Sequence, residues 1–440
     1  MSGVATLVLG YGLAGRAVVD ALRLHGVDPV VVDDRPSDTT REAAAAANVE
    51  LVVAPTDEQL VRLAACAERL VPSPGIPDDH PLFALAAERG VEIWSEFDLA
   101  ASWDDRPVLA ITGTDGKTTV TTMVEQMLAA SGRRTVAAGN TDIPLVAAIA
   151  DAELDLFVVE ASSFRLGHSH RFAPDVGTWL NFGPDHLDVH RSLDAYEQAK
   201  ASMWSRATDR TIAIANIDDS VVMSHVPRHA NVQTFGRDHG DHLVSNGALV
   251  VDGKPLVALT DMPRTLPHDL TNGLAAAATA LAGGATRDGV AKVLREFRGL
   301  PHRVEFIADH DGVRFFNDSK ATTPNAVEAA LRGFTSVVLI AGGKNKGLDL
   351  SPLGAHRDRL RSVIAIGDAA DHILDVFGHL VPTERAASMA DAVAKAADQA
   401  HPGDAVLLSP GCASFDWYPS YKARGADFSD EVRRLTGVER

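Results

Sequence analysis

The chain of 440 residues is 46% hydrophobic and 23% charged, a composition that builds packed cores and excludes a disordered, collagen-like or disulfide-scaffold protein. Its 41 Lys and Arg against 59 Asp and Glu leave a net charge of −18, which argues against a nucleic-acid or anionic-membrane surface. Cys66 and Cys412 stand far apart and outside any CxxC spacing, so neither a disulfide framework nor a cysteine zinc site is supported.

The first residues run straight into a strand-like segment without a basic or apolar leader. No apolar run reaches about 18 residues, so a soluble, cytoplasmic protein without membrane insertion is expected. Short apolar runs at 6–9, 30–33 and 51–54 alternate with helical patterns at 16–25 and 58–67, the rhythm of a parallel α/β fold. Straight after the first strand comes Gly10-Tyr11-Gly12-Leu13-Ala14-Gly15, and Asp33 ends the next strand. Glycines there permit a tight turn and bring an anion to a helix N-terminus. At this level a dinucleotide, another phosphate-bearing ligand and a purely structural turn all remain open.

A polar, Pro-containing break at 102–107 sets the first domain boundary, giving residues 1–104 to the N-terminal block. The central block, 105–300, opens with a strand at 108–112, and a helix is expected from Lys117 to about Ala130. Between them lies Gly113-Thr114-Asp115-Gly116-Lys117-Thr118-Thr119, a shortened phosphate loop with Ile111 where the full pattern has Gly. Backbone N–H groups and Lys117 would hold phosphates, with the Thr118 hydroxyl offered to Mg²⁺. Glu160 closes a strand at 156–160, and His186 follows a strand expected at 178–181. At the carboxyl ends of a parallel sheet these two would converge on Mg²⁺ or Mn²⁺ beside the loop.

Asn246-Gly247 and Asp252-Gly253 between apolar runs predict two tight hairpins, a small antiparallel sheet appended to the parallel core. An Ala-rich helix is expected over 268–282, and the second boundary falls near Arg298-Gly299-Leu300-Pro301. The last block, 301–440, starts with a hairpin at Asp311-Gly312 and continues with strands at 337–341, 363–367 and 405–409. Residues 317–324 and 342–347 read as two cationic loops at adjacent strand ends.

Taken together and in order, these segments resemble the Mur ligase family over essentially the whole chain. The resemblance rests on the short loop at 113–119, Glu160-Ala161-Ser162-Ser163, Asp185-His186-Leu187-Asp188, Pro301-His302-Arg303, Asn317-Asp318-Ser319-Lys320-Ala321-Thr322 and Ser409-Pro410-Gly411-Cys412-Ala413-Ser414. It implies three α/β domains: a Rossmann-like N-terminal domain, a central P-loop-type ATPase domain and a Rossmann-like C-terminal domain. The implied reaction is ATP-dependent ligation of D-glutamate to UDP-N-acetylmuramoyl-L-alanine through an acyl phosphate, in peptidoglycan precursor synthesis, by a monomer needing no NAD.

The resemblance also distributes roles. Gly113, Thr114, Asp115, Gly116, Lys117, Thr118, Thr119, Asn272, Arg303 and Asp318 would contact ATP. Lys117, Glu160, His186 and Lys200 would be catalytic, with Thr118, Glu160, His186 and a carbamylated Lys200 on the metal. Gly12, Leu13, Ala14, Asp33, Asp34, Arg35, Ser73, Pro74, Gly75 and Asn140 would grip the UDP substrate, and Lys320, Thr322, Lys346, Ser414 and Tyr421 the glutamate. Asp115, Asp142 and Asp269 depart from the family pattern. The alternatives are a relative using another amino acid or L-glutamate, and a nucleotide-binding regulator on the same fold.

Overall fold

A computed structural model describes residues 6–186, 189–345 and 347–438. Lys346 and Asp188 lie outside these described residues. Contacts divide the chain into two compact units, one of residues 1–261 with 270–295, the other of 262–269 with 296–440. Among the described residues no helix is long and apolar enough to cross a membrane.

The first unit holds two sheets. In the first, β1 (Thr6–Leu9), β2 (Val30–Asp33), β3 (Leu51–Val53), β4 (Arg69–Pro72) and β5 (Glu92–Ile93) are parallel in the order β3-β2-β1-β4-β5. The order reverses between β1 and β4, and open α/β sheets bind ligands outside such a reversal. The helix Leu13–Leu24 starts earlier than the apolar pattern suggests because Gly12 ends the turn at once. One face of this sheet buries Leu7, Val32 and Leu82, while Val8, Val19 and Phe97 join a core continuous with Phe157 and Trp179 of the second sheet.

The second sheet comprises β6 (Val108–Thr112), β7 (Thr135–Gly139), β8 (Leu156–Glu160), β9 (Val176–Trp179), β10 (Ile212–Asn216), β11 (Asn231–Phe235), β12 (His242–Ser245), β13 (Ala248–Val251) and β14 (Lys254–Ala258). Its order is β14-β13-β12-β11-β10-β9-β6-β8-β7. It is parallel from β7 to β12 and antiparallel across β13 and β14. Both expected hairpins form, with Asn246, Gly247, Asp252 and Gly253 all at positive φ (50°, 72°, 53° and 69°), the backbone that I′ turns require. The strand expected at 178–181 is shifted to 176–179, since the Leu180 N–H already pairs with the Thr112 carbonyl and Asn181 turns toward the glycine loop.

The second unit has a mixed sheet of β15 (Glu305–His310), β16 (Val313–Asn317), β17 (Val337–Gly342), β18 (Leu360–Ile366), β19 (Thr383–Arg385) and β20 (Ala405–Leu408). The hairpin at Asp311-Gly312 makes β15 and β16 antiparallel, and every other pairing is parallel. The order β15-β16-β20-β17-β18-β19 corrects one expectation. The loops after β16 and β17 are not on adjacent strands, because β20 pairs with both and its own loop, from Ser409, enters between them. Apolar layers cover both faces, Leu339 and Phe377 on one side and Ile340 and Phe428 on the other.

Candidate active site

The glycine turn after β1 and the loop after β4 enclose a cavity of about 660 Å³ at the reversal point. Of the residues expected to grip a UDP group, Gly12, Asp33, Asp34, Arg35, Ser73, Pro74 and Gly75 line it. Leu13 is half exposed and Ala14 buried, both outside that lining. Asp33 accepts hydrogen bonds from the Tyr11 N–H (2.9 Å) and the Arg35 N–H (3.1 Å), so its carboxylate ties the turn after β1 to the segment after β2. The Ser73 hydroxyl donates to the Gly10 carbonyl at 2.9 Å. Gly15 packs so closely that a Cβ there would sit 2.0 Å from the Gly10 oxygen. The helix Leu13–Leu24 has no side-chain cap, which leaves its first N–H groups for a ligand.

The second glycine loop follows β6, between the ends of β8 and β9. Gly116 caps the helix Lys117–Ala130 at φ 84° with no side-chain partner, again leaving N–H groups and a positive dipole end. The loop is braced from the β9 side: the Thr114 and Asp115 N–H groups donate to the Asn181 carbonyl (3.1 Å) and Oδ1 (2.9 Å). Lys117 Nζ reaches back to the Gly113 and Thr114 carbonyls, at 2.8 and 2.9 Å. Thr118 and Thr119 follow in the first turn, half-buried. Asn272 adjoins the loop, its Oδ1 only 2.7 Å from where a Gly116 Cβ would be. Asp115 is exposed, as is Asp142.

Glu160 ends β8 and is buried, yet its two oxygens differ. Oε1 accepts from Asn140 Nδ2 at 2.9 Å, while Oε2 is buried with no hydrogen-bond partner. A buried carboxylate oxygen left in this way favours a cation, and the hard oxygen donor suits Mg²⁺. Lys200, on the helix Leu193–Ala201, is buried beneath the loop, donates to the Gly113 carbonyl at 2.7 Å and lies over the Tyr196 ring. Burial, reinforced by the nearby Lys117 charge, holds its ammonium well below the ordinary lysine range. Such an amine is readily neutral, the form that adds carbon dioxide.

His186 sits at φ 54°, half exposed, against the rings of Phe164 and Tyr196. Among the described residues no three of His, Cys, Asp and Glu cluster as a metal cage. Asn140 is brought to Glu160 and also accepts from Arg165 at 2.9 Å. Sequence reading missed Arg165, and missed that buried His190 joins Ser163 (2.9 Å) to Asp78 (3.3 Å) beside the first cavity's loop. Only the Arg165 position, one turn beyond the Glu160 strand end, carried a local signal.

In the second unit, the loops after β16, β17 and β20 meet at one edge. Asp318 is buried, accepting from the Ser409 hydroxyl (2.7 Å) and the Val304 N–H (3.2 Å), and burial pushes its carboxyl up to about 7. Arg303 is exposed, with its charge close enough to Asp318 to oppose that rise. Buried Arg424 binds Ser319 Oγ (3.0 Å) and the carbonyls of Ser319, Cys412 and Ala413. One guanidinium thus ties the segment of Lys320 and Thr322 to that of Ser414, while Lys320 Nζ lies 5.8 Å from the Tyr421 ring centroid. Asp269, a departure from the family pattern, is half of a buried ion pair with Arg264 at 2.7 Å, which gives the acid its reason.

The chain was compared with known proteins. It matches the profiles of a "Mur ligase MurD-like, N-terminal domain" over residues 4–95, a "Mur ligase middle domain" over 111–280 and a "Mur ligase, glutamate ligase domain" over 302–412. A UDP-N-acetylmuramoylalanine–D-glutamate ligase of Frankia casuarinae is 40% identical, covering 99% of this chain and 95% of that protein. A protein of the same name from Shouchella clausii is 37% identical over 98% of this chain and 97% of its own. Among solved structures, a MurF ligase from Thermotoga maritima in complex with ADP superposes with a TM-score of 0.57 at 17% identity, over 98% of this chain and 95% of that one. That likeness concerns the fold.

Proposed function

The chain belongs to the Mur ligase family, and from that premise we propose that it ligates D-glutamate to UDP-N-acetylmuramoyl-L-alanine, converting ATP to ADP and phosphate. It would do so as a cytoplasmic monomer making a peptidoglycan precursor. The observation that carries the reading is the uncapped helix behind the loop at 113–116, with Lys117 over the loop and Glu160 presenting an unpaired oxygen at the next strand end.

A carboxylate is a poor acyl donor, so one oxygen of the alanine carboxylate attacks the γ-phosphorus and ADP leaves. The loop N–H groups of residues 113–119 and Lys117 hold the phosphates and neutralise the charge that develops there. Mg²⁺, when bound, would supply positive charge against that of the phosphates; Glu160, Thr118, His186 and a carbamate on Lys200 are the groups that would hold it. Asn272, beside the loop, would contact the nucleoside end.

The cavity at Gly12, Asp33 to Arg35 and Ser73 to Gly75 would take the uridine diphosphate group, leaving no role for NAD. The segments carrying Lys320, Thr322, Ser414 and Tyr421 would orient glutamate, and Lys346, outside the described residues, is expected to serve the same ligand. Its amine attacks the acyl carbon, phosphate leaves, and the amide forms as the ammonium proton is lost. Orientation of two anions is most of the task. The test is isotopic: with ¹⁸O in the alanine carboxylate, one labelled oxygen should appear in the released phosphate. Phosphate free of label would overturn the acyl-phosphate route.

A further inference from the structure

Glu160 must show a definite oxygen to a cation, and its orientation is set by groups behind it. Asn140 is held to the strand end by its own N–H on the Glu160 carbonyl (2.8 Å), and its side-chain Nδ2 donates to Glu160 Oε1 (2.9 Å). The amide has one donating and one accepting end. A guanidinium can only donate, so Arg165 Nη1 at 2.9 Å from Asn140 Oδ1 leaves Nδ2 as the end that faces Glu160. Turned over, the amide would set two oxygens against each other and swing the carboxylate away.

Arg165 is itself buried and fixed. Its Nε donates to Glu96 Oε1 at 2.8 Å, and the other Glu96 oxygen accepts from the Val146 N–H at 3.0 Å. This pairing matters electrostatically as well, since the guanidinium charge is matched by Glu96 and does not neutralise Glu160. Oε2 of Glu160 stays without a hydrogen-bond partner.

We propose that Arg165 is a positioning residue of the ligation site, acting through Asn140 to aim Glu160 Oε2 at a divalent cation held by the protein beside the loop at 113–119, with Glu96 as its counter-ion. The inference rests on the reading of Glu160 as a cation ligand. Groups behind a metal ligand typically change metal affinity by about 10–100-fold when removed.

The experiment is Mn²⁺ binding to the full chain without nucleotide, followed by electron paramagnetic resonance, beside thermal denaturation of each variant. Arg165→Met should weaken Mn²⁺ at least about 10-fold, with Asn140→Leu having a similar effect and the double variant adding little. Arg165→Met also leaves Glu96 buried and unpaired, so Glu96→Gln/Arg165→Met removes that charge, should recover the thermal midpoint and should not recover Mn²⁺ affinity. This second variant carries the test if the single one fails to fold. Recovery of affinity together with stability would reduce Arg165 to a structural role and overturn the proposal. Glu160→Gln separates the premises: if it weakens Mn²⁺ and Arg165→Met does not, the relay alone falls. If neither weakens Mn²⁺, the ligand reading of Glu160 falls and the relay with it.

Discussion

Replacing Gly15 by alanine puts the geometry of the first cavity to a quantitative test. The added Cβ would lie 2.0 Å from the Gly10 oxygen and 2.9 Å from Ser73 Oγ. The obstacle is backbone, and it is held: Gly10 N–H pairs with Val32 at 2.7 Å and Ser73 N–H with Leu9 at 2.7 Å. Helix and turn must part by about 1 Å, overpacking of a kind that costs about 1–3 kcal/mol. Loss of the Ser73 to Gly10 hydrogen bond adds about 1 kcal/mol. A total of about 2–4 kcal/mol corresponds to a midpoint lowered by roughly 3–7 °C. Because the displaced atoms line the cavity, the KM for the UDP substrate should rise about 10-fold or more, while the KM for ATP is unchanged; a loss of about 1.4 kcal/mol of binding suffices. An unshifted midpoint with unchanged KM values in Gly15→Ala would refute the close packing and its link to substrate binding.

Three further outcomes follow from the second loop and the second unit. Lys117→Ala should lower phosphate release by about 100-fold or more at saturating substrates with the fold intact, as loss of a group that stabilises developing charge does; retained turnover in a steady-state assay would remove ATP from this loop. Lys200→Ala should lose activity and regain part of it with small carboxylic acids that replace the carbamate oxygens, measured by ADP release across a titration of acetate. Asp318 holds its proton to about pH 7 when folded, against an ordinary value of 3.8. The folded state thus binds the proton more tightly, and the stability this confers is full below about pH 4 and lost as pH rises through 7. Denaturant unfolding should show a decline of at most about 4 kcal/mol over that window, and Asp318→Asn should flatten it.

What could be read from sequence was what local chemistry dictates. Asn-Gly and Asp-Gly pairs fixed the hairpins of β12 to β14 because only those residues take positive φ cheaply there. Glycine loops between a strand and a helix located both turns that open onto uncapped helix N-termini. The insertion of β20 between β16 and β17 was hidden, since it depends on pairing across roughly seventy to ninety residues rather than on any local pattern. The contacts of Arg165 with Glu96 and Asn140 were hidden for the same reason: they join residues 69 and 25 apart. Asn140 was singled out from its motif, but its two occupied hydrogen-bonding ends were not legible. The pairing of Asp269 with Arg264 likewise explains an unusual acid that composition alone leaves unaccounted for.

The central claim is an ADP-forming ligation that needs three substrates at once. ADP release should be measured with ATP, UDP-N-acetylmuramoyl-L-alanine and, separately, D- and L-glutamate. Steady-state release is expected with D-glutamate alone of the two, matched by one equivalent of the amide product, with none when ATP or the UDP substrate is omitted and at most one equivalent per enzyme when glutamate is omitted. Release with L-glutamate in its place, or release independent of the UDP substrate, would contradict it.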